Sequence, residues 1–371
     1  MILSSVKLKN FRSHKETKLI FSERLNYIVG GNGQGKTSIL ESIYYLCTTK
    51  SINSNFDGEV VRFNENELEI IGSFKDYSNS EARISYFLNS NKKIYFLNGK
   101  HITRAADIIG KFPVVILTPT DHSITQGAPG ERRKFVDSVI SQASETYLKN
   151  LLDYNKTLRQ KASLLAQLKE TKNKTLFDEL DAWNSKMIAS GKEIIIHRLK
   201  FIRKFKDFIK DSFKVILNDD EIPGVEYMFL EGLSQEENIE DIFFKLLHKR
   251  KDDEIRRGSN LVGPHRDDFV FKINDVDLKT YGSQGQHKTF QVVLRFAQFF
   301  YLKEITGKAP IFLLDDVFGE LDAKRSIRIS EYLRQVGQAF ITLTDFTDFS
   351  FLQKEDDDLV IKLNNGQVVY A

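Results

Sequence analysis

Residues 30–37 read GGNGQGKT, which fits the G-x-x-x-x-G-K-[ST] pattern of a loop that binds nucleotide phosphates. The apolar residues 25–29 predict a short strand before the loop, and the apolar spacing over 37–47 predicts a helix after it. Strand, loop and helix in this order are the context that the pattern requires. The alternative interpretation is a glycine-rich turn that binds no ligand.

The loop predicts ATP and Mg²⁺ as cofactors. Its glycines allow backbone conformations that turn successive N–H groups toward an anion, and they are Gly30, Gly31, Gly33 and Gly35. Lys36 is expected to reach the β- and γ-phosphates and to act in catalysis, while the Thr37 hydroxyl is expected to bind Mg²⁺. The other residues of the run expected to contact the nucleotide are Asn32, Gln34 and Ser38.

Residues 311–316, IFLLDD, predict the second half of this site. The apolar run 311–314 suits a strand covered on both faces, and carboxylates at the end of a buried parallel strand open into a ligand crevice. Asp315 is therefore expected at the Mg²⁺ ion, and Asp316 is expected to polarise the water that attacks the γ-phosphate. Taken alone, the pair also fits an ordinary strand end with a helix cap.

Residues 282–286, GSQGQ, open a predicted helix whose apolar stripe runs from Phe290 to Tyr301. Ser283 lies near the start of that helix. A hydroxyl there suits either a capping role or a phosphate ligand, and the residues themselves leave both open.

The composition predicts a folded protein of a reducing compartment. Hydrophobic residues make up 41% of the 371 residues, which supports a sizeable core and excludes a disordered chain. The single cysteine excludes an intramolecular disulfide framework and a cysteine zinc site. Since no stretch resembles a signal peptide or a membrane span, we predict a cytoplasmic protein. The net charge of +3 does not by itself indicate a nucleic-acid partner.

The order of the predicted elements favours an α/β nucleotide-binding head built from both ends of the chain. Short strands dominate the first part, lysine-rich helical sequence follows, and strands alternate with helices again toward the end. We predict an N-terminal half of the head with the phosphate loop at 1–125 and a mainly helical lobe at 126–260. The C-terminal half of the head is predicted at 261–371.

The best candidate for a DNA-binding surface is a basic amphipathic helix at 195–216. Its apolar residues recur every three or four positions, and lysines and arginines fill the positions between them. The clusters at 132–134 and 248–251 are weaker candidates. A solvated helix face packed on the head is the alternative for the helix, and plain surface is the alternative for the two clusters. A structural turn network is the expected role of His265 and Arg266.

Six ordered motifs carry a family resemblance. They are LKNFRS at 8–13, GGNGQGKTS at 30–38, PTDHSITQGAPGERRKFVD at 119–137, GPHRDDF at 263–269, GSQGQHKT at 282–289 and LLDDVFGELD at 313–322. Together they resemble the ATP-binding-cassette heads of the structural-maintenance-of-chromosomes type, and within them the RecF family of bacterial recombination and gap-repair proteins. The resemblance covers essentially the whole chain and implies a P-loop ATP-binding-cassette head with a mixed β-sheet and an inserted helical lobe.

The resemblance implies that two heads bind face to face, with each ATP held between the phosphate loop of one subunit and Ser283 and Gly285 of the other. Asp322 would then lie in the loop that touches the partner's site. Arg12 would approach the phosphates, and Asp121 would lie near the metal-sensing loop.

The resemblance also implies a function. It suggests a weak DNA-dependent ATPase that dimerises on ATP at gapped DNA or at single-strand to double-strand junctions, with hydrolysis as a release step. It further implies that RecO and RecR act with the protein in loading RecA recombinase, in support of replication restart and the SOS response. The alternatives are the ATPase subunit of a transporter and a small-molecule kinase, neither of which requires the whole set of motifs.

Several residues depart from the family pattern. Thr120 stands where an acidic residue is usual, Gly319 replaces a serine or alanine, and His287 replaces a glutamine. Thr344 occupies a position where many cassette ATPases carry a γ-phosphate-sensing histidine. Because Asp316 is one methylene shorter than the usual glutamate, we expect slow turnover.

Overall fold

The computed structural model describes residues 1–54, 56–75, 79–171, 175–217, 221–233, 238–320, 322–344, 354–364 and 367–370. The chain forms two compact units, which we call the head unit (1–121, 211–219 and 291–371) and the insert unit (122–210 and 220–290).

The secondary-structure elements are numbered along the chain. The strands are β1 (Ile2–Phe11), β2 (His14–Ile20), β3 (Leu25–Val29), β4 (Glu67–Lys75), β5 (Asn79–Phe87), β6 (Lys92–Leu97), β7 (Lys100–Ile102), β8 (Val114–Leu117), β9 (Pro223–Met228), β10 (Asp268–Ile273), β11 (Val276–Asp277), β12 (Ile311–Leu314), β13 (Ala339–Leu343), β14 (Leu359–Asn364) and β15 (Gln367–Tyr370). The α-helices are α1 (Lys36–Thr48), α2 (His122–Gln126), α3 (Pro129–Ala143), α4 (Glu145–Thr171), α5 (Thr175–Leu217), α6 (Ile239–Arg257), α7 (Leu278–Tyr281), α8 (Gln284–Thr306) and α9 (Ala323–Leu333).

The head unit contains two six-stranded sheets. One is antiparallel, in the order β2-β1-β4-β5-β6-β7, and the other has the order β15-β14-β3-β13-β12-β8. In the second sheet every neighbouring pair except β14–β15 is parallel. The residues of β3, β12 and β13 are buried throughout, as expected for strands covered on both faces.

Strand order brings the two predicted halves of the site together. Strand β13 pairs with β3 on one side and with β12 on the other, and all three run in the same direction. Their carboxyl ends therefore lie at one edge of the sheet, where α/β proteins place their ligands. Helix α1 packs on this sheet and on the antiparallel one, and its buried Ile39, Leu40 and Ile43 belong to a core that both sheets share.

The insert unit contains the three-stranded sheet β11-β10-β9 and most of the helices. The apolar stripe predicted over 195–216 is confirmed, because all seven of its residues are buried in α5: Ile195, Leu199, Ile202, Phe205, Ile209, Phe213 and Ile216. The sequence pattern does not predict α6, because charged residues fill most positions from 248 to 254 and mask its short apolar stripe.

The compact units differ from the predicted segments in three places. Residues 122–125 fall in the insert unit, which begins at His122. Residues 261–290 fall in the insert unit, because β10 pairs with β9 over its whole length. Residues 211–219 fall in the head unit, where Ser212 is hydrogen-bonded to Tyr332. None of the described helices is long and apolar enough to cross a membrane.

Candidate nucleotide-binding site

A cavity of about 310 Å³ lies in the head unit at the carboxyl ends of β3, β12 and β13. It is lined by Ser13, by residues 32–38 of the phosphate loop, by Asp315 and Asp316, and by Thr342. The two motifs predicted to share a site therefore face one cavity, in agreement with the sequence analysis.

The backbone of the loop requires its glycines. Gly33 and Gly35 have φ angles of 78° and 90°, in the left-handed region where a side chain is strained. A Cβ atom on Gly30 would lie 2.8 Å from the carbonyl oxygen of Leu363, and one on Gly35 would lie 2.7 Å from both His14 Nε2 and Ser13 Oγ. The loop is consequently held in a shape that other residues would disturb.

Lys36 lies over the loop that precedes it. Its ammonium group donates hydrogen bonds to the carbonyl oxygen of Gly30 and, at 3.0 Å, to that of Gly31. Burial lowers the pKa of Lys36, whereas the charges of Asp316 and Asp315 act in the opposite direction. A cation held by two neutral carbonyls is suited to exchange them for phosphate oxygens, which carry full charge.

Asp315 is the centre of the carboxylate side of the cavity. Its Oδ1 atom accepts hydrogen bonds from the hydroxyls of Thr37 and Thr342, each at 2.9 Å. Burial raises the pKa of Asp315, and the hydrogen bonds from Thr342 and Thr37 oppose that effect. The structure thus places the Thr37 hydroxyl and the Asp315 carboxylate together, as both were predicted for one metal ion.

This donor set fits Mg²⁺. The ion prefers oxygen ligands, keeps several waters, and is usually bound by one or two protein groups together with substrate phosphates. No group of three or more histidine, cysteine, aspartate or glutamate residues suited to a metal occurs within the described part of the chain. Thr37 and Asp315 would hold the ion, which would neutralise charge on the phosphates.

Asp316 differs sharply from its neighbour Asp315. Its side chain is exposed and lines the cavity, and its φ angle of 50° lies in the left-handed region. Its backbone N–H donates a hydrogen bond to the Thr342 hydroxyl at 2.9 Å. This arrangement presents the Asp316 carboxylate to the cavity, where the predicted role in orienting water requires it.

Three residues of the site are missed by the sequence analysis. Thr342 depends on the strand order that puts β13 between β3 and β12, which a sequence pattern does not reveal. Ser13 lines the cavity, and the His14 Nε2–H donates to the carbonyl oxygen of Gly35 at 3.2 Å. The available signal for Ser13 and His14 was the LKNFRS motif, which ends at Ser13.

Two residues assigned to the site by resemblance are engaged elsewhere in the head unit. Arg12 forms two hydrogen bonds to the buried carboxylate of Glu41, at 2.7 and 2.8 Å, and a third to the carbonyl oxygen of Glu59. Asp121 is buried and paired through both oxygens with Arg295. Neither lines the cavity, so their roles toward nucleotide and metal stay predictions.

Ser283, in the insert unit, forms a capping box at the start of α8. Its Oγ accepts a hydrogen bond from the N–H of Gln286 at 3.2 Å, and the Gln286 side chain accepts one from the N–H of Ser283 at 2.9 Å. The capping alternative is therefore confirmed. The side chain of Ser283 is nevertheless exposed, and Gly285 follows in the first turn, which leaves the predicted contact with a second subunit open.

Three further residues singled out in the sequence, Asp322, Thr344 and His287, differ in their surroundings. Asp322 caps α9 by accepting a hydrogen bond from the N–H of Arg325 at 3.0 Å. Thr344 is exposed and does not line the cavity. His287 is buried, and its Nδ1 atom has no hydrogen-bond partner in the part of the chain that the structure describes.

The prediction that the basic residues of the helix at 195–216 are exposed is confirmed in part. Lys200, Arg203, Lys206 and Lys210 are exposed on α5. Arg198, which the sequence analysis counts with them, is instead buried and bonded to Asp137 and Asp267. Arg198 is therefore a structural residue of the insert unit.

The candidate cluster at 132–134 also contains a buried ion pair. Arg132 is buried and bonded through two nitrogens to Asp268, which removes it from the predicted DNA surface. His265 accepts a hydrogen bond from the hydroxyl of Tyr154 at 2.7 Å and donates one to the carbonyl oxygen of Asn260. Arg266 donates to the same carbonyl, so the predicted turn network is confirmed.

A phosphate loop after β3 and a carboxylate pair after β12, at the same edge of one sheet, define a P-loop nucleotide-binding head. A family model described as the RecF/RecN/SMC N-terminal domain matches residues 2–356. The DNA replication and repair protein RecF of Chloroherpeton thalassium is 38% identical over 357 residues, which cover 94% of this chain and 96% of that protein. The chain belongs to the RecF family of DNA replication and repair proteins.

Other comparisons agree with this assignment. RecF of Clostridium perfringens is 33% identical and covers 99% of both chains. A solved structure of the recombination mediator protein RecF with ATP, from the RecFOR pathway, has a TM-score of 0.91 and 32% identity, covering 100% of this chain and 97% of that one. The Smc head domain of Pyrococcus furiosus, at 16% identity and a TM-score of 0.57, shares the fold alone. The predicted fold class is confirmed.

Proposed function

We propose that this protein is an ATP-dependent DNA-binding recombination and repair protein. It binds Mg²⁺ and ATP at the head unit, dimerises on ATP at gapped DNA or strand junctions, and hydrolyses ATP slowly as a release step. The observation that carries the proposal is the single cavity that the phosphate loop, Asp315 and Asp316 share.

ATP binding is supported by the chemistry of that cavity. The loop offers backbone N–H groups, the start of α1 offers the positive end of a helix, and Lys36 adds a charge. The RecF protein whose structure was solved with ATP is 32% identical to this chain over nearly its whole length. Lys36 would hold the phosphates, and Asp316 would orient water toward them.

Dimerisation on ATP is supported by the exposure of Ser283. Gly285 lies beside it in the first turn of α8. The capping box fixes the serine at the first turn of α8, where free N–H groups favour an anion. In the proposed dimer, the phosphate loop of one copy and Ser283 and Gly285 of the other hold one ATP between them. Asp322 would lie at the same interface between the two copies, and it would still cap α9.

DNA binding is supported by the exposed cations of α5. Lys200, Arg203, Lys206 and Lys210 face solvent on a helix whose apolar side is buried. Such a face binds the phosphate backbone and has little sequence preference. Cooperation with RecO and RecR fits the RecFOR pathway named for the solved relative. Loading of RecA, in support of replication restart and the SOS response, completes the proposal and is drawn from the family resemblance.

Sedimentation velocity tests the proposal directly. The protein is measured alone, then with Mg²⁺ and ATP, and then with Mg²⁺, ATP and gapped DNA. We expect a dimer only when ATP is present. Fully duplex DNA without ends or gaps is the control for structure preference. A monomer under every condition, at protein concentrations up to the micromolar range, contradicts the proposed dimer.

A further inference from the structure

Thr342 joins the two carboxylate residues of the site. It is the fourth residue of β13, the strand between β3 and β12, and only 1% of it is exposed. Its Oγ1 lies 2.9 Å from Oδ1 of Asp315 and 2.9 Å from the backbone nitrogen of Asp316. One buried hydroxyl therefore contacts both residues that the proposed reaction uses.

The direction of these hydrogen bonds follows from the chemistry of the groups. A hydroxyl has one hydrogen to donate and lone pairs to accept. It must accept from the N–H of Asp316, so its hydrogen goes to an oxygen. The carboxylate of Asp315 at 2.9 Å is nearer than the carbonyl of Leu314 at 3.5 Å, and it carries charge.

We propose that Thr342 is a positioning residue for the ATPase site. It orients the Asp315 carboxylate for the metal and fixes the backbone of Asp316. The inference rests on the proposed function. When Thr37 gives its hydroxyl to Mg²⁺, the Thr342 hydroxyl still holds Oδ1 of Asp315, and groups that orient a metal ligand in this way strongly affect metal affinity.

The backbone of Asp316 gives Thr342 its second role. A non-glycine residue in the left-handed region is unfavourable, and it persists only where its surroundings fix it. The φ angle of Asp316 is 50°, and its N–H is satisfied by the Thr342 hydroxyl. Loss of that hydroxyl is therefore expected to release the Asp316 side chain from its orientation in the cavity.

The test compares Thr342→Val, which keeps the shape and loses the hydroxyl, with Thr342→Ser, which keeps the hydroxyl. Affinity for Mn²⁺ is measured by electron paramagnetic resonance with a non-hydrolysable ATP analogue bound, and hydrolysis is measured in a single turnover. For T342V we expect Mn²⁺ affinity and hydrolysis both to fall by about 10- to 100-fold. Binding of the analogue in EDTA stays within about twofold, and T342S stays close to wild type.

Thr48→Val is the matched control, because it removes another buried threonine hydroxyl in the head unit. The Thr48 hydroxyl donates to the carbonyl of Tyr44 at the opposite end of α1. This variant is expected to lose some thermal stability while its Mn²⁺ affinity is unchanged. Thr342→Ala, which lacks the same hydroxyl, replaces T342V if the valine variant does not fold.

Two results overturn the inference. One is T342V with Mn²⁺ affinity and hydrolysis within about twofold of wild type, and the other is T342S impaired as strongly as T342V. Failure of the proposed function has a different signature, because the wild-type protein itself would then not bind the ATP analogue.

Discussion

The Thr37 hydroxyl lies 2.9 Å from Oδ1 of Asp315, although 278 positions separate the two residues in the chain. The contact joins the start of α1 to the end of β12, and it exists because β13 lies parallel to both β3 and β12. A metal ion bound to Thr37 and Asp315 therefore links both ends of the chain. Mg²⁺ and ATP are expected to stabilise the head unit as a whole.

Replacing Lys36 with alanine is expected to abolish tight ATP binding, because it removes the side-chain cation at the phosphate loop. Wild-type protein gains about 2.7 kcal/mol of stability at a ligand concentration 100 times the dissociation constant, and the variant should gain almost none. Thermal unfolding with and without Mg²⁺ and ATP measures this, together with equilibrium binding of a fluorescent ATP analogue. Lys245→Ala, on the exposed side of α6, serves as the control.

The opposite result has a clear meaning. A Lys36→Ala protein that binds the analogue with nearly wild-type affinity contradicts the role of the loop. ATP-dependent dimers should disappear in the same variant, since they require the nucleotide.

Asp316→Asn is expected to separate ATP binding from turnover. The amide keeps the size of the side chain and is exposed at the same place, but it carries no charge to orient water. Single-turnover hydrolysis should fall by at least about tenfold, while ATP-dependent dimers persist in sedimentation. Hydrolysis at the wild-type rate would remove Asp316 from the proposed mechanism.

The structures of the phosphate loop and of the strand that ends in the Asp-Asp pair were predictable from sequence, because each depends on a short local pattern. The glycines, Lys36 and Thr37 lie within eight residues, and the apolar run before Asp315 indicates a buried strand. Thr342 was not predictable, because its place depends on which strand lies between two others. The sequence of residues 339–343 does not indicate that β13 lies between β3 and β12.

Arg198 illustrates the limit for charged surfaces. Its spacing on the helix resembles that of the exposed lysines around it, but Asp137 and Asp267 lie 61 and 69 positions away in the chain and neutralise it in the folded protein. A charge pattern indicates which side of a helix is polar. It does not reveal distant acids that bury one of its cations.

His265 makes a prediction about pH. Burial lowers the pKa of His265 to about 4 from an ordinary 6.5, and the neutral ring accepts from Tyr154 and donates to Asn260. Its contribution to the free energy of unfolding is thus complete above pH 6.5 and is lost as the pH falls toward 4, by up to about 3 kcal/mol.

Urea unfolding at a series of pH values measures this contribution. The difference in unfolding free energy between wild type and His265→Gln should shrink as the pH falls from 6.5 to 4. Gln160→Ala, at an exposed position of α4, removes no titratable group and should show a constant difference. A constant difference for His265→Gln as well would mean that the ring is already charged or solvated.

The basic face of α5 predicts the salt dependence of DNA binding. Each phosphate contact contributes about −0.9 to the slope of log K against log salt concentration. Reversing the charge of Lys206 and Lys210 should therefore make the slope less steep by about 2 and leave ATP binding intact. Reversal of Lys149 and Lys156, exposed on α4 and outside the candidate clusters, is the matched control. Equal slopes for both double variants would assign α5 to ordinary solvated surface.

Ser283→Arg tests whether two subunits share one ATP. The arginine should clash with the partner's nucleotide and block ATP-driven dimerisation, while the variant's own phosphate loop still binds ATP as a monomer. Loss of the capping hydrogen bond to Gln286 is expected to lower stability by about 1 kcal/mol. Ser283→Ala loses the same cap without adding bulk, so it separates the effect of the cap from that of the clash.

Mixing subunits gives the decisive measurement for the shared site. Ser283→Arg has an intact phosphate loop, and Lys36→Ala has an intact serine, so one complete site can form only between the two. We expect ATP hydrolysis to recover in the mixture, up to about half of the wild-type rate if each composite site acts independently. If Ser283→Arg alone dimerises on ATP and hydrolyses it at the wild-type rate, each subunit works without its partner's serine, and the proposed composite site is wrong.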